Sequence, residues 1–236
     1  MKRIRLQIAV LAGVPMLAVL GFAALSVIEK VIERSHHAYM VPLTRVAEDA
    51  GNLIHEIQKE RDKTVELIDS GFDAASIAAL DKQRPKTDAV LKVFDDHLAA
   101  LDLNDKELLK DLQHVAEEVH KLDKYRQSID ANSVTTVDAV KIYSNEIAEL
   151  IHLVGVTTES SPSKEITSEL LPYLTLVEAM ESGSLERANG AALLNEFNAS
   201  GKVEHTLYVK TVANYGAEVA FEKEFEAIAT RQQKAL

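Results

Sequence analysis

The sequence predicts an all-α protein in which an N-terminal transmembrane helix leads into an up-down antiparallel helical bundle. Three observations carry this expectation. Residues 6–28 form one uncharged, apolar run. The remainder is filled with Ala, Leu, Glu, Lys and Gln, the strong helix formers, with only 9 Gly and 5 Pro in 236 residues. Short turn signals separate long amphipathic stretches, the pattern of neighbouring antiparallel helices.

The elements follow in order. At 1.5 Å per residue, the run from Leu6 to Ile28 is long enough to cross a hydrocarbon layer of about 30 Å. Lys2, Arg3 and Arg5 precede it, whereas the charges of Glu29, Lys30, Glu33 and Arg34 nearly cancel, so residues 1–5 are expected in the cytoplasm and the rest outside it. A cleavable signal peptide is the competing reading, because Gly21-Phe22-Ala23 offers small residues, but its apolar region would be shorter. Pro15 is an irregularity that a spanning helix accommodates. Residues 29–42 read as a juxtamembrane helix and 43–236 as the extracytoplasmic domain. Within that domain, helix is expected from Leu43 to Asp69, closed by Ser70-Gly71, and from Asp73 to Leu101 with an interruption at Pro85. Asn104 and Glu107 resemble a capping box opening a helix to Asp130, and Thr135 or Thr136 opens another to Thr157. After the turn at Glu159–Ser163, helix is expected past Pro172 to Ala199, then from beyond Gly201 to Gln233.

Composition excludes several functions. A net charge of −11 with no basic run beyond the first residues repels phosphate backbones, so nucleic acid is not an expected partner. Cysteine is absent, the eight histidines are scattered without metal-ligand spacing, and no cofactor, Gly-rich phosphate loop or nucleophile motif is evident. Dense carboxylates such as Glu117-Glu118 and Asp95-Asp96 read as solvated helix faces. No metal site is expected, and no enzyme.

The chemistry-bearing feature is arginine on apolar stripes. Ile54, Ile57, Arg61, Thr64, Val65 and Ile68 share one helical face, which turns Arg61 inward. Tyr173, Leu176, Met180, Gly183, Arg187, Gly190, Leu194 and Phe197 keep a +3/+4 register that places Arg187 inward too, between glycines that permit close approach of a partner helix. Arg84, with Ile77, Leu80, Thr87, Leu91 and Phe94, and Arg126, with Val115, Val119, Leu122 and Ile129, fit the same way and are secondary ligand-binding candidates. A buried guanidinium needs a carboxylate, water or a bound anion. The bland expectation is an ion pair with Glu60, Glu181 or Glu186. The functional one is that arginines from different helices converge on a small oxyanion, for which the planar guanidinium fork is suited.

The residues resemble the nitrate- and nitrite-sensing (NIT) domain family of bacterial receptors. Leu53-Ile54-His55-Glu56-Ile57-Gln58-Lys59-Glu60-Arg61 is similar to that family's "L-x-x-x-L-Q-x-E-R-G" opening helix, and Gln83-Arg84-x-x-Thr87-Asp88 to its "Q-R-x-x-T-D" stretch. Leu170 through Phe197 resembles its "E-R-A" helix, with Tyr173, Glu181, Gly183 and Glu186-Arg187-Ala188; Arg126, Ile129-Asp130 and Tyr143 fall between in matching order. The resemblance covers Leu43 to Phe225. It implies two four-helix-like up-down subdomains, the last one incomplete here, and nitrate or nitrite bound by Arg61 and Arg187. It also implies a chemoreceptor- or kinase-type membrane receptor that works as a homodimer, with a periplasmic sensor and no cofactor, of which this chain would be a truncated part. Asp62 stands where the family has glycine and Met180 where it has lysine, which opens alternatives: another small ligand such as an amino acid, or a membrane-tethered structural or interaction module.

Overall fold

The computed structural model describes residues 22, 41–103, 105–159 and 164–235 of the protein, with Pro42–Leu236 forming one unit. Its first helix, α1, runs over 41–69. It ends as Ser70-Gly71 predicts: Gly71 adopts φ +69°, Phe72 N donates to Leu67 O and Gly71 N to Ile68 O, so the last carbonyls of α1 are satisfied by a left-handed cap. Asp73 then caps α2 (Ala74–Ala99) by accepting from Ser76 N at 2.7 Å. Pro85 lies inside α2 without interrupting it, contrary to expectation. Both Pro85 and Asp81, whose carbonyl loses its helical donor, are on the exposed side, so that carbonyl is not shut away from solvent.

The third leg is also revised. Asp105, not Asn104, is the cap: its carboxylate accepts from Glu107 N and Leu108 N, both at 3.0 Å, and Asn104 itself lies outside the described residues. The single helix expected to Asp130 is broken at His120-Lys121 into α3 (Lys106–Val119) and α4 (Leu122–Asp130). The stripe Val115, Val119, Leu122, Arg126 and Ile129 nevertheless stays buried across the break. Thr135 and Asp138 cap each other's ends at the start of α5 (Thr136–Glu159), Thr135 Oγ1 accepting from Asp138 N. Then come α6 (Lys164–Ser200), uninterrupted by the buried Pro172, and α7 (His205–Ile228), capped by Glu204 and followed by a 3₁₀ turn, Gln233–Ala235.

Side-chain pairs give the direction of each leg. His97 meets Asp49 and Gln83 meets Glu56, so α2 runs antiparallel to α1. Asp95, Asp88 and Arg84 meet His120, Arg126 and Asp130 in turn, so α3 and α4 return together as one leg. Asp69 pairs with Thr136 and Arg61 with Ser144, turning α5 down; α6 comes back up with Tyr173 against Gly51 and Glu181 against Gln58. The described helices therefore run up and down in turn, within one compact unit. Leu43, Val46, Leu53, Ile54 and Ile57 of α1 are almost fully buried, as are Phe94, Val119, Ile147 and Leu150 around it. Each such side chain contributes about 1.5–3 kcal/mol relative to exposure. Among the described residues no helix is long and apolar enough to cross a membrane; apart from Phe22, the expected span over 6–28 lies outside them, as does most of the juxtamembrane segment.

Candidate functional site

Arg61 is fully buried, where its stripe on α1 places it. Its guanidinium forks onto Glu181 of α6, Nη1 to Oε1 at 2.6 Å and Nη2 to Oε2 at 3.0 Å. The remaining hydrogens of those nitrogens go to Ser144 of α5 and Ser184 of α6, each at 2.7 Å, while Nε has no acceptor. Gln58 Nε2 donates to Glu181 Oε2 at 2.9 Å. One ion pair thus ties α1, α5 and α6 together.

A second charged knot lies on the next side of α1. Glu60, also fully buried, receives Arg126 Nε and Nη2 bidentately at 2.8 Å each, and accepts from the Tyr143 hydroxyl at 3.0 Å, which in turn accepts from Thr64. Arg126 also meets Asp88 at 2.6 Å and Asp123 at 3.2 Å. Burial works against the Arg126 charge, but the hydrogen bonds and charge of Glu60 prevail and raise its pKa. Burial, then the Glu60 charge, push the Tyr143 hydroxyl up as well. Arg84 ion-pairs with Asp130, Nη2–Oδ1 2.8 Å, with Nε at 4.0 Å from Glu60. Arg84 and Arg126 are therefore brought together with carboxylates, and not with Arg187.

Arg187 is not inward. It is exposed, and most of its supposed stripe, Leu176, Met180, Leu194 and Phe197, is exposed with it. The buried line of α6 is instead Leu170, Val177, Glu181 and Ser184. The reason is that α6 packs between α1 on one side and α7 on the other, so apolar residues lie all round it and several registers look equally good. Arg187 stands on a cleft of about 350 Å³ between α1, α6 and α7, lined also by Gln58, Lys59, Asp62, Ser184 and Glu218. Gln58 and Ser184 line this cleft and belong to the Arg61–Glu181 cluster, so the cleft and the buried pair share a wall. Loss of water raises the Asp62 carboxyl above its usual range despite the pull of Arg61 and Arg187, and raises Glu218, helped by Glu186 and Glu222.

The arrangement offers Arg187 as a cation unpaired among the described residues, Lys59 already paired with Glu56 at 2.8 Å, an amide and a hydroxyl as neutral groups, and Arg61 behind them. The expected ion pairing with Glu60 and Glu181 is met at Arg126 and Arg61; sequence reading missed Ser144 and Ser184, and which arginine Glu60 would take. Only the adjacency of Glu60 and Arg61 hinted at it, since neighbours about 100° apart on a helix meet different partners.

The nitrate and nitrite sensing family matches residues 52–236, with both Arg61 and Arg187 inside the matched region. No curated protein matches the sequence. The solved structure of the NasR transcription antiterminator is similar in fold, with a TM-score of 0.72 at 19% identity, covering 88% of this chain and 55% of that one. The chain thus spans about half the length of that structure. With more than half of its residues matched and the same helical fold, the chain belongs to the nitrate- and nitrite-sensing family.

Proposed function

We propose that the chain is the sensory part of a bacterial membrane receptor, and that it binds nitrate or nitrite in the cleft between α1, α6 and α7. The observation that supports this best is the shared wall: an anion drawn in by Arg187 meets Gln58 and Ser184, the same groups that contact the Arg61–Glu181 pair. Glu181 occupies the Arg61 fork that an oxyanion would use, so the anion competes with an internal carboxylate for one guanidinium. Taking that fork releases α6 from α1 and favours a different relative position of the two helices. A coupling of about 1–3 kcal/mol between the two arrangements suffices for a switch. Residues 6–28 anchor the domain, which faces outward, and α1 carries the shift back to the membrane. The role is binding and signalling, not catalysis. Two copies pair, in keeping with the exposed Leu194, Phe197, Tyr208, Val212 and Tyr215 on α6 and α7.

The test is a thermal-shift and calorimetric titration with nitrate, nitrite, chloride and amino acids, using the chain and its Arg187→Ala variant. Arg187 is exposed and makes no hydrogen bond or ion pair among the described residues, so the variant should fold normally. A saturable rise in melting temperature with nitrate or nitrite, lost in Arg187→Ala, is expected; at 100 times Kd it corresponds to about 2.7 kcal/mol. No response to either ion at millimolar concentration would sink the anion reading. Sedimentation of the full chain with membranes and its mass in detergent check the anchor and the pairing.

A further inference from the structure

A second cleft, of about 380 Å³, opens between the first turns of α5 and the α6–α7 hairpin, at a place the nitrate reading does not use. Its polar lining is Lys141, Lys210, Asn145, Asn189, Asn214, Ser144 and Thr136, whose hydroxyl donates to the Asp69 carboxylate behind it at 2.6 Å. Its apolar wall is formed by Val140, Leu185, Ala188 and Leu207. No carboxylate lines it among the described residues, in a chain whose net charge is −11 and whose cleft at Arg187 contains Asp62, Glu218 and Glu222. The nearest acid on the same helix, Asp138, is engaged by the Thr135 amide and hydroxyl at the start of α5. Neither lysine forms a hydrogen bond or ion pair among the described residues. The site therefore combines two ammonium groups, three carboxamides and an apolar floor, in the size range of small-molecule pockets.

We propose that this cleft is a second binding site, for a small organic carboxylate with an apolar body. The carboxylate lies between Lys141 and Lys210, whose flexible stems let the charges close on it from both sides. The body packs on Val140, Leu185 and Leu207. Asn145 and Asn214, which both donate and accept, hold any further polar group, while Asn189 Nδ2 already donates to Leu185 O at 2.9 Å. A compact inorganic anion leaves the apolar floor uncovered and is disfavoured here, which separates this site chemically from the cleft at Arg187. Ser144 links the two regions, since it lines this cleft and receives Arg61 Nη1 at 2.7 Å.

Benzoate is the probe, titrated calorimetrically and by thermal shift against the full chain, with benzamide as the uncharged isostere. Saturable benzoate binding is expected in the millimolar range or tighter, at least about tenfold stronger than benzamide. It should be lost in the double variant Lys141→Gln/Lys210→Gln, whose exposed side chains leave the fold intact, and retained in Arg187→Ala. No saturable binding, equal binding of benzamide, or loss in Arg187→Ala instead of the double lysine variant would each overturn the assignment. Because the readout is benzoate and the control variant removes the nitrate-facing arginine, failure here is distinguishable from failure of the anion-sensing reading.

Discussion

Glu60 and Arg61 occupy adjacent positions of α1 and are both fully buried, yet they do not pair with each other. The roughly 100° between neighbouring helical residues sends Glu60 toward α4 and α5 and Arg61 toward α5 and α6. Each then receives an opposite charge from another helix. Such pairs add little net stability compared with apolar residues of the same shape, but removing one partner strands the other. Arg61→Ala is therefore expected to destabilise the fold by about 3–5 kcal/mol, because Glu181 would be left buried without its counter-charge. Arg61→Met with Glu181→Leu should be much milder. Urea denaturation of the two variants checks this, and equal losses in both would mean that the ion pair and its hydrogen bonds themselves stabilise the fold, since the double variant keeps the volume and strands no charge. It follows that Arg61→Ala is a poor probe of ligand binding, and that Arg187→Ala is the clean one.

At the scale of the helix, close approach occurs where a glycine faces a bulky ring. A Cβ at Gly51 of α1 would run into the hydroxyl and ring of Tyr173 on α6. At Gly183 of α6 the obstacle is the flexible Glu218 carboxylate, and at Gly190 a Cβ would only touch the Thr211 methyl at 3.7 Å. The glycines flanking Arg187 are thus not the ones that bring helices together, despite their spacing. Gly51→Ala is expected to cost about 1–3 kcal/mol by overpacking. Gly190→Ala should be neutral or stabilising by up to about 1 kcal/mol through helix propensity. Melting temperatures of the two variants decide; a Gly51→Ala protein as stable as the parent would mean that Tyr173 swings away freely.

For the whole molecule, Glu146 of α5 contributes a pH dependence of stability near neutral pH. It is only 4% exposed, its Oε2 has no hydrogen-bond partner, and Glu118, Glu149 and Lys121 surround it. Burial, with help from the Glu118 charge, pushes its carboxyl up to about 7 from an ordinary 4.5. The folded state then holds a proton that the unfolded chain releases, so this contribution is complete below about pH 4.5 and is lost as pH rises through 7. Glu146→Gln should match the parent at pH 4 and exceed it by about 2–3 kcal/mol at pH 8. Denaturation at the two pH values tests this; a gain of equal size at both would point to hydrogen bonding instead of ionisation.

The all-helical class, the up-down course, the turn at Ser70-Gly71 and the inward Arg61 were all legible in the sequence, because each is written in local chemistry or in the periodicity of a helix with one buried face. Family membership was legible as well, from motifs spread along the chain. The register of α6 was not, because a helix packed between two others carries apolar residues on every side and its spacing admits several phases. That ambiguity alone put Arg187 inward on paper, while in the structure it stands on the rim of a cleft. Which carboxylate meets which arginine, and the break at His120-Lys121, were likewise decided only in three dimensions. Periodicity reports that a side chain is covered. The tertiary packing of α1 among its neighbours determines what covers it.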